Sequence, residues 1–223
     1  GLCDKIKNAL LPLLENGVQV VVATGRGKSV GKSFQESIEQ KYWPQIKVGY
    51  YNGACLLVLG EEDKLKAWKK QPFDSELKAL EEELKLRLSK GCVAYKFEER
   101  SLQLSIEGEM TQTESQLVYE ICREIIWDKQ MKSMDIVVYR EVSKLQVIED
   151  PERTLCIGDY GTVEGNDYEM LTSKYSLSVD RVSKNAESCW NIVPSGMKGL
   201  DATLYYISRM KANEGKITCK FSV

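Results

Sequence analysis

The sequence predicts an α/β fold, and three observations carry that prediction. The first is the run Val18-Gln19-Val20-Val21-Val22-Ala23, which has one polar interruption and reads as a strand buried on both faces. It gives way to Thr24-Gly25-Arg26-Gly27-Lys28-Ser29 and to a predicted helix over residues 30–42. The second is Leu155-Cys156-Ile157, which ends in Gly158-Asp159 and leads through a polar loop to Asn166-Asp167 and then to helix-forming residues. Strands that deliver polar groups to their C-terminal ends are how open α/β sheets build ligand sites. The third is a change of composition near residue 61, which predicts that a second domain interrupts the first.

In chain order, apolar residues at helical spacing (Ile6, Leu10, Leu13, Leu14) predict a helix over residues 4–15, closed by Asn16-Gly17. Asp4 is expected to be its N-cap, because its carboxylate can accept from free backbone donors. Pro12 conflicts locally with that helix. Strands are expected near 18–23, 46–50 and 54–58, the last two joined by a turn at Asn52-Gly53. Residues 64–70 read as extended and charged, and Pro72-Phe73-Asp74 opens a charged helix to about 89. Strands near 92–98 and 101–107, a helix near 113–127 and a strand near 133–139 complete a βαββαβ order of two-layer, ferredoxin-like form. Thereafter strands are expected at 154–158 and 175–179, a helix at 199–211 and a last strand at 216–223. Trp190, Tyr205 and Tyr206 are read as core or core-edge aromatics.

Composition excludes several classes of chemistry. The 223 residues carry a net charge of −2 with signs mixed, which argues against a general nucleic-acid or membrane binder. Histidine is absent, which removes Ser-His-Asp hydrolysis, Cys-His proteolysis and His-based metal sites. The seven cysteines are scattered without Cys-x-x-Cys spacing, and suggest reduced thiols in a cytoplasmic setting. No signal peptide and no apolar run near ~18 residues is present.

What remains is oxygen and cation chemistry. A hydroxyl, flexible glycines and cations at the strand-to-helix turn 24–29 form a plausible phosphate cradle. Carboxylates gathered at 159–167 suit Mg²⁺, which prefers oxygen ligands; read by itself, that segment is equally a solvated acidic turn. Gly27 to Ser33 is not a nucleotide-binding loop, since only three residues separate Gly27 from Gly31 where that loop requires four.

The ordered set VVVATGR, IKVGYYNGA, VSK and IGDYGTVEGNDYEML resembles the haloacid dehalogenase-like phosphatases, in the branch with a large inserted cap that includes sucrose-phosphate phosphatase and the Cof-type sugar phosphatases. The resemblance implies a Rossmann-like core over 1–60 and 140–223 with an α+β cap over 61–139. It implies that Thr24, with Gly25 and Arg26, holds the transferring phosphoryl group, and that Lys144 neutralises phosphate and nucleophile. It implies that Asp159 ligates Mg²⁺, with Asn166 and Asp167 as its downstream pair and Asn52 lining the substrate entrance. Val182-Ser183-Lys184 repeats the lysine motif but out of order.

The chain departs from that pattern twice. Residues 160–165 intervene where the related enzymes usually place two, leaving Glu164 as another candidate ligand beside Asp167. The family's first motif, Asp-x-Asp-Gly on a central strand, occurs nowhere in the 223 residues, and Asp4 lacks the preceding apolar run that a nucleophile would need. The expectation is therefore Mg²⁺-dependent hydrolysis of a sugar phosphate or other small phosphorylated metabolite, with these residues inactive by themselves. The alternative is a non-catalytic phosphoryl-ligand or protein-binding module. The position of the missing strand is expected to be filled by a further segment or, within these residues, by 216–223.

Overall fold

Leu10, Leu13 and Leu14 are buried along one face of helix α1 (Asp4–Glu15), as the apolar spacing requires. These are features of a computed structural model that describes residues 2–68, 74–91, 93, 103–125, 128–131, 135–139, 142–163 and 165–221. Asp4 is not the N-cap: Cys3 holds that position without a side-chain bond, and Asp4 opens the first turn, where its charge still meets the positive end of the helix dipole. Pro12 is accommodated inside the helix, and its carbonyl accepts from the Asn16 side chain (2.8 Å). The chain divides into two units, Gly1–Leu65 with Ser143–Val223, and Lys66–Val142.

In the first unit, β1 (Val20–Ala23) runs parallel to β2 (Ile46–Tyr50), with Val20 opposite Ile46. A tight turn then brings β3 (Cys55–Val58) back antiparallel to β2, giving the order β1-β2-β3. The helix expected over 30–42 is divided. α2 (Ser29–Ser37) stops where buried Ile38 turns extended (φ −111°, ψ 133°), and a 3-10 segment, Gln40–Gln45, follows. The extended reading of 64–70 is also corrected over 64–68, residues 69 and 70 lying outside the described residues. Glu62–Trp68 is helix α3, opened by Glu62 and Asp63 in its first turn and anchored by buried Leu65.

The second unit packs α4 (Ser75–Arg87) and α5 (Gln112–Ile125) with an antiparallel sheet of β4 (Gln103–Glu107), β5 (Asp128–Met131) and β6 (Asp135–Tyr139) in the order β4-β6-β5. Asp74 caps α4 by accepting from the Glu76 and Leu77 amides. Leu77, Leu80, Leu84, Leu104, Ile106, Val118, Ile121 and Val138 form its core. β5 was not anticipated, and all but Val93 of the strand expected at 92–98 lies outside the described residues.

Back in the first unit, β7 (Leu155–Gly161) lies parallel to β8 (Tyr175–Val182), with α6 (Tyr168–Leu171) between them in sequence. Their register shifts between Gly158 and Tyr160, so Asp159 sits on a bulge. α7 (Gly199–Ile207) ends four residues before the expected limit, because Met210–Asn213 forms strand β9 of a hairpin with β10 (Lys216–Cys219). Glu214 and Gly215 take the positive φ values (48° and 74°) that a two-residue hairpin turn needs.

That hairpin corrects a second expectation. β10 pairs with β9 and does not join β1 or β7, so residues 216–219 do not complete the sheet. The outer edge of β1 carries no partner strand among the described residues, and neither does that of β7. Both border one groove of about 1090 Å³, lined in part by Val21, Leu155, Leu177, Trp190 and Phe221. The groove explains two further departures: Val21 is 38 % exposed in a strand that reads as buried on both faces, and Trp190 is 67 % exposed rather than core. Tyr206, by contrast, is fully buried.

Candidate functional site

The loop leaving β1 is stitched to the turn leaving β2. The Thr24 amide donates to Gly49 O (2.9 Å), the Asn52 amide to Thr24 O (2.7 Å) and the Tyr51 amide to Arg26 O (3.4 Å). The Thr24 hydroxyl accepts from the Arg26 amide (3.0 Å), which folds the loop back on itself. Thr24 and Gly25 are half-buried, while Arg26 and Lys28 are exposed. Lys32 is exposed and pairs with Glu36 (3.6 Å), one helical turn on. On the other side of the turn, a Cβ on Gly53 would lie 2.7 Å from Ser143 O. Only glycine permits that approach, and it brings the turn against the residue that precedes Lys144.

Lys144 opens a 3-10 turn, Lys144–Val147, capped by the Ser143 hydroxyl accepting from the Leu145 amide (3.1 Å). It is 8 % exposed, and its ammonium donates to Asp167 Oδ1 (2.6 Å). Asp167 is 3 % exposed. Its Oδ2 accepts from the amides of Asp159 (2.9 Å) and Tyr160 (3.3 Å), both presented by the bulge in β7. A bulge re-aims a strand at such a place. Gly158 makes room for the carboxylate: a Cβ there would stand 2.7 Å from Asp167 Oδ2.

The two carboxyl groups are driven apart in acidity. Asp159 is raised above the ordinary aspartate value by its hydrogen bond with Asp167, by partial burial and by the Asp167 charge. For Asp167, burial pushes upward, but the Lys144 charge and the hydrogen bonds from Asp159, Lys144 and the Asp159 amide outweigh it, and the net shift is downward. Asp167 is therefore the fixed anion of the cluster, and Asp159, on the exposed bulge, is the carboxylate that faces outward.

The structure thus places Lys144, Asp159 and Asp167 together, and Thr24, Gly25 and Asn52 together, with the Gly53–Ser143 approach linking the two groups. Asn166 is half-buried beside Asp167, Glu164 lies outside the described residues, and Lys184 is exposed. Among the described residues no three or more acidic, cysteine or histidine side chains are grouped to hold a metal ion. Sequence reasoning paired Asp167 with Asp159 as metal ligands and missed that Lys144 occupies Asp167. It also missed Gly158, although a glycine directly before the key aspartate was the available signal.

Several solved structures share this architecture across most of the chain. The sucrose-phosphatase of Synechocystis sp., solved with sucrose and phosphate, superposes with a TM-score of 0.56 at 14 % identity, over 89 % of this chain and 89 % of its own. The trehalose-6-phosphate phosphatase of Aspergillus fumigatus gives 0.53 at 16 % identity, over 92 % and 84 % respectively. The chain has a haloacid dehalogenase-like fold. A subclass IIB sugar phosphatase of the haloacid dehalogenase superfamily likewise gives 0.51 at 16 % identity, over 79 % and 86 %. No family model and no curated protein matches the sequence. On this haloacid dehalogenase-like fold, the loop at Thr24 follows the C-terminal end of β1 and the bulge at Asp159 lies in the C-terminal half of β7, the end of parallel strands where open α/β sheets bind ligands. No helix among the described residues is long and apolar enough to cross a membrane.

Proposed function

We propose that the first unit is the phosphoryl-binding and charge-neutralising part of a Mg²⁺-dependent phosphomonoester hydrolase acting on a sugar phosphate or another small phosphorylated metabolite. The observation that carries this reading is the buried Lys144–Asp167 pair hydrogen-bonded to the Asp159 bulge. It fixes one cation and one outward carboxylate at the C-terminal end of a parallel strand. Phosphoryl transfer needs little covalent help from side chains; it needs positioning and neutralisation of oxygen charge. In this reading the Thr24 hydroxyl and those amides of its loop that the protein leaves unbonded bind phosphoryl oxygens, Arg26 approaches from the exposed side, and Lys144 neutralises their charge. Asp167 holds the Lys144 ammonium in place.

The donor set suits a hard cation. Asp159 offers carboxylate oxygens and Asn166 an amide oxygen, the sequence has no histidine to add an imidazole, and Mg²⁺ takes one or two protein carboxylates together with phosphate and water. When bound, Mg²⁺ would supply neutralisation of the phosphoryl oxygens. The likeness in fold to sugar phosphatases supports the substrate class.

The second reading is a phosphoryl-ligand module without catalysis, favoured by the absence of Asp-x-Asp-Gly from the 223 residues. Calorimetry with inorganic phosphate tests the binding that both readings require. Phosphate is expected to bind, more tightly with Mg²⁺ present, and to be lost in Lys144→Ala and Thr24→Ala. Binding that neither substitution weakens would overturn the site. A p-nitrophenyl phosphate assay separates the two readings. Residues 1–223 are expected to be inactive, whereas a version carrying an apolar strand with Asp-x-Asp-Gly ahead of Gly1 is expected to release phosphate only with Mg²⁺. Inactivity of that version would favour the module.

A further inference from the structure

Asn52 is 2 % exposed, yet neither its amide oxygen nor its amide nitrogen has a hydrogen-bond partner among the described residues. Buried polar side chains are nearly always paired, so an orphaned amide calls for a specific partner. The backbone that holds it is also held against its preference. Tyr51, Asn52 and Gly53 take consecutive φ values of 55°, 60° and 95°, a left-handed run that non-glycine residues adopt at a cost and that clusters at ligand sites. The strained turn presses the amide against the Thr24 loop: a Cβ on Gly25 would lie 3.3 Å from Asn52 Oδ1. The neighbouring amides are engaged, the Asn52 amide donating to Thr24 O (2.7 Å) and the Gly53 amide to Tyr50 O (3.1 Å). The Asn52 side chain in this turn therefore holds both a donor and an acceptor open.

We infer that the Asn52 side chain is a ligand contact that selects phosphate monoesters bearing a hydroxyl close to the ester; this rests on reading the Thr24–Lys144–Asp159 cluster as a phosphoryl site. The amide nitrogen donates to a phosphoryl oxygen. The amide oxygen, which the acceptor-only oxygens of a dianionic phosphoryl group cannot satisfy, accepts from the hydroxyl of the esterified alcohol. An ester without that hydroxyl leaves the oxygen orphaned, and a site built to bond a hydroxyl rejects the analogue that lacks it. The strain in residues 51–53 keeps the amide at the loop before the ligand arrives, so its ordering is not paid for at binding.

The test compares glycerol 1-phosphate with methyl phosphate by calorimetry, and follows melting of the ligand-free protein. The wild-type chain is expected to bind the hydroxylated ester roughly tenfold more tightly. Asn52→Gly suits the left-handed backbone and removes the orphaned amide, so it is expected to melt at or above the wild type while binding the two esters equally. Asn52→Asp keeps the shape but sets a carboxylate against the phosphoryl group, and should lose both. A preference for glycerol 1-phosphate that survives in Asn52→Gly overturns the inference, as does a fall in melting temperature with binding unchanged, which marks a purely structural amide. If Lys144→Ala and Thr24→Ala lose both esters while Asn52→Gly behaves as wild type, the phosphoryl site stands and the role of Asn52 falls. If neither ester binds the wild type, both fall.

Discussion

Replacing Lys144 with methionine keeps the length of the side chain and removes its charge, leaving Asp167 as a buried anion. Asp167 is 3 % exposed, and Lys144 supplies its 2.6 Å contact at Oδ1. Breaking one side of a buried pair costs about 3–5 kcal/mol. The low end applies here, because Oδ2 keeps the Asp159 and Tyr160 amides as donors, so a loss of about 3 kcal/mol at pH 7 is expected. In a chain of this size that lowers Tm by roughly 6–12 °C. The dependence on pH is the sharper readout. In the wild type Asp167 lies below the ordinary aspartate value. Its contribution is present above the unfolded value near ~3.9 and is lost only as pH falls through the lower folded value. Without Lys144 the main downward influence is gone and burial dominates, so the folded value rises above the unfolded one and the sign reverses: the variant gains stability as pH falls toward about 5. Urea denaturation at pH 7.5 and pH 5 measures both. A deficit that is the same at both pH values, or below about 1 kcal/mol at pH 7.5, would refute the buried-pair account. Lys144→Met combined with Asp167→Leu should recover much of the loss, since matched removal of both partners is far cheaper than removal of one.

Other expectations follow from the same geometry. Because Asp159 is raised above the usual aspartate value, the enhancement of phosphate binding by Mg²⁺ should fade as pH drops through that raised value, and Asp159→Asn should abolish the enhancement at every pH; calorimetry with and without Mg²⁺ decides it. Gly158→Ala would set a methyl 2.7 Å from Asp167 Oδ2, costing about 1–3 kcal/mol of stability by denaturant titration and weakening phosphate binding in parallel. Burial pushes the Cys55 thiol up to about 11, so at pH 8 iodoacetamide should label the exposed Cys3 and leave Cys55 unmodified in the native protein by mass spectrometry.

Much of the local structure was legible in the chain itself. The spacing of Ile6, Leu10, Leu13 and Leu14 specifies α1, Asp74 specifies the start of α4, and Ile46–Tyr50 is a strand over the expected five residues. Each depends on neighbours within a turn or a pleat, so composition and period suffice. The family resemblance put Thr24, Lys144 and Asp159 in order, and of these Thr24 and Asp159 also stand at strand ends that the local apolar pattern predicts. What the tertiary structure alone decided is which groups meet. Asp159 and Asp167 are both aspartates near one loop, yet one is exposed and raised while the other is buried and lowered, and what separates them is the approach of Lys144 across 23 residues together with the hydrogen bonds at the bulge. Val21 and Trp190 read as core and are exposed, and residues 216–219 read as a sheet strand yet pair only with 210–213. Burial and strand pairing are set by whatever lies on the far side of a residue, and a sequence carries no record of that distance until the chain has folded.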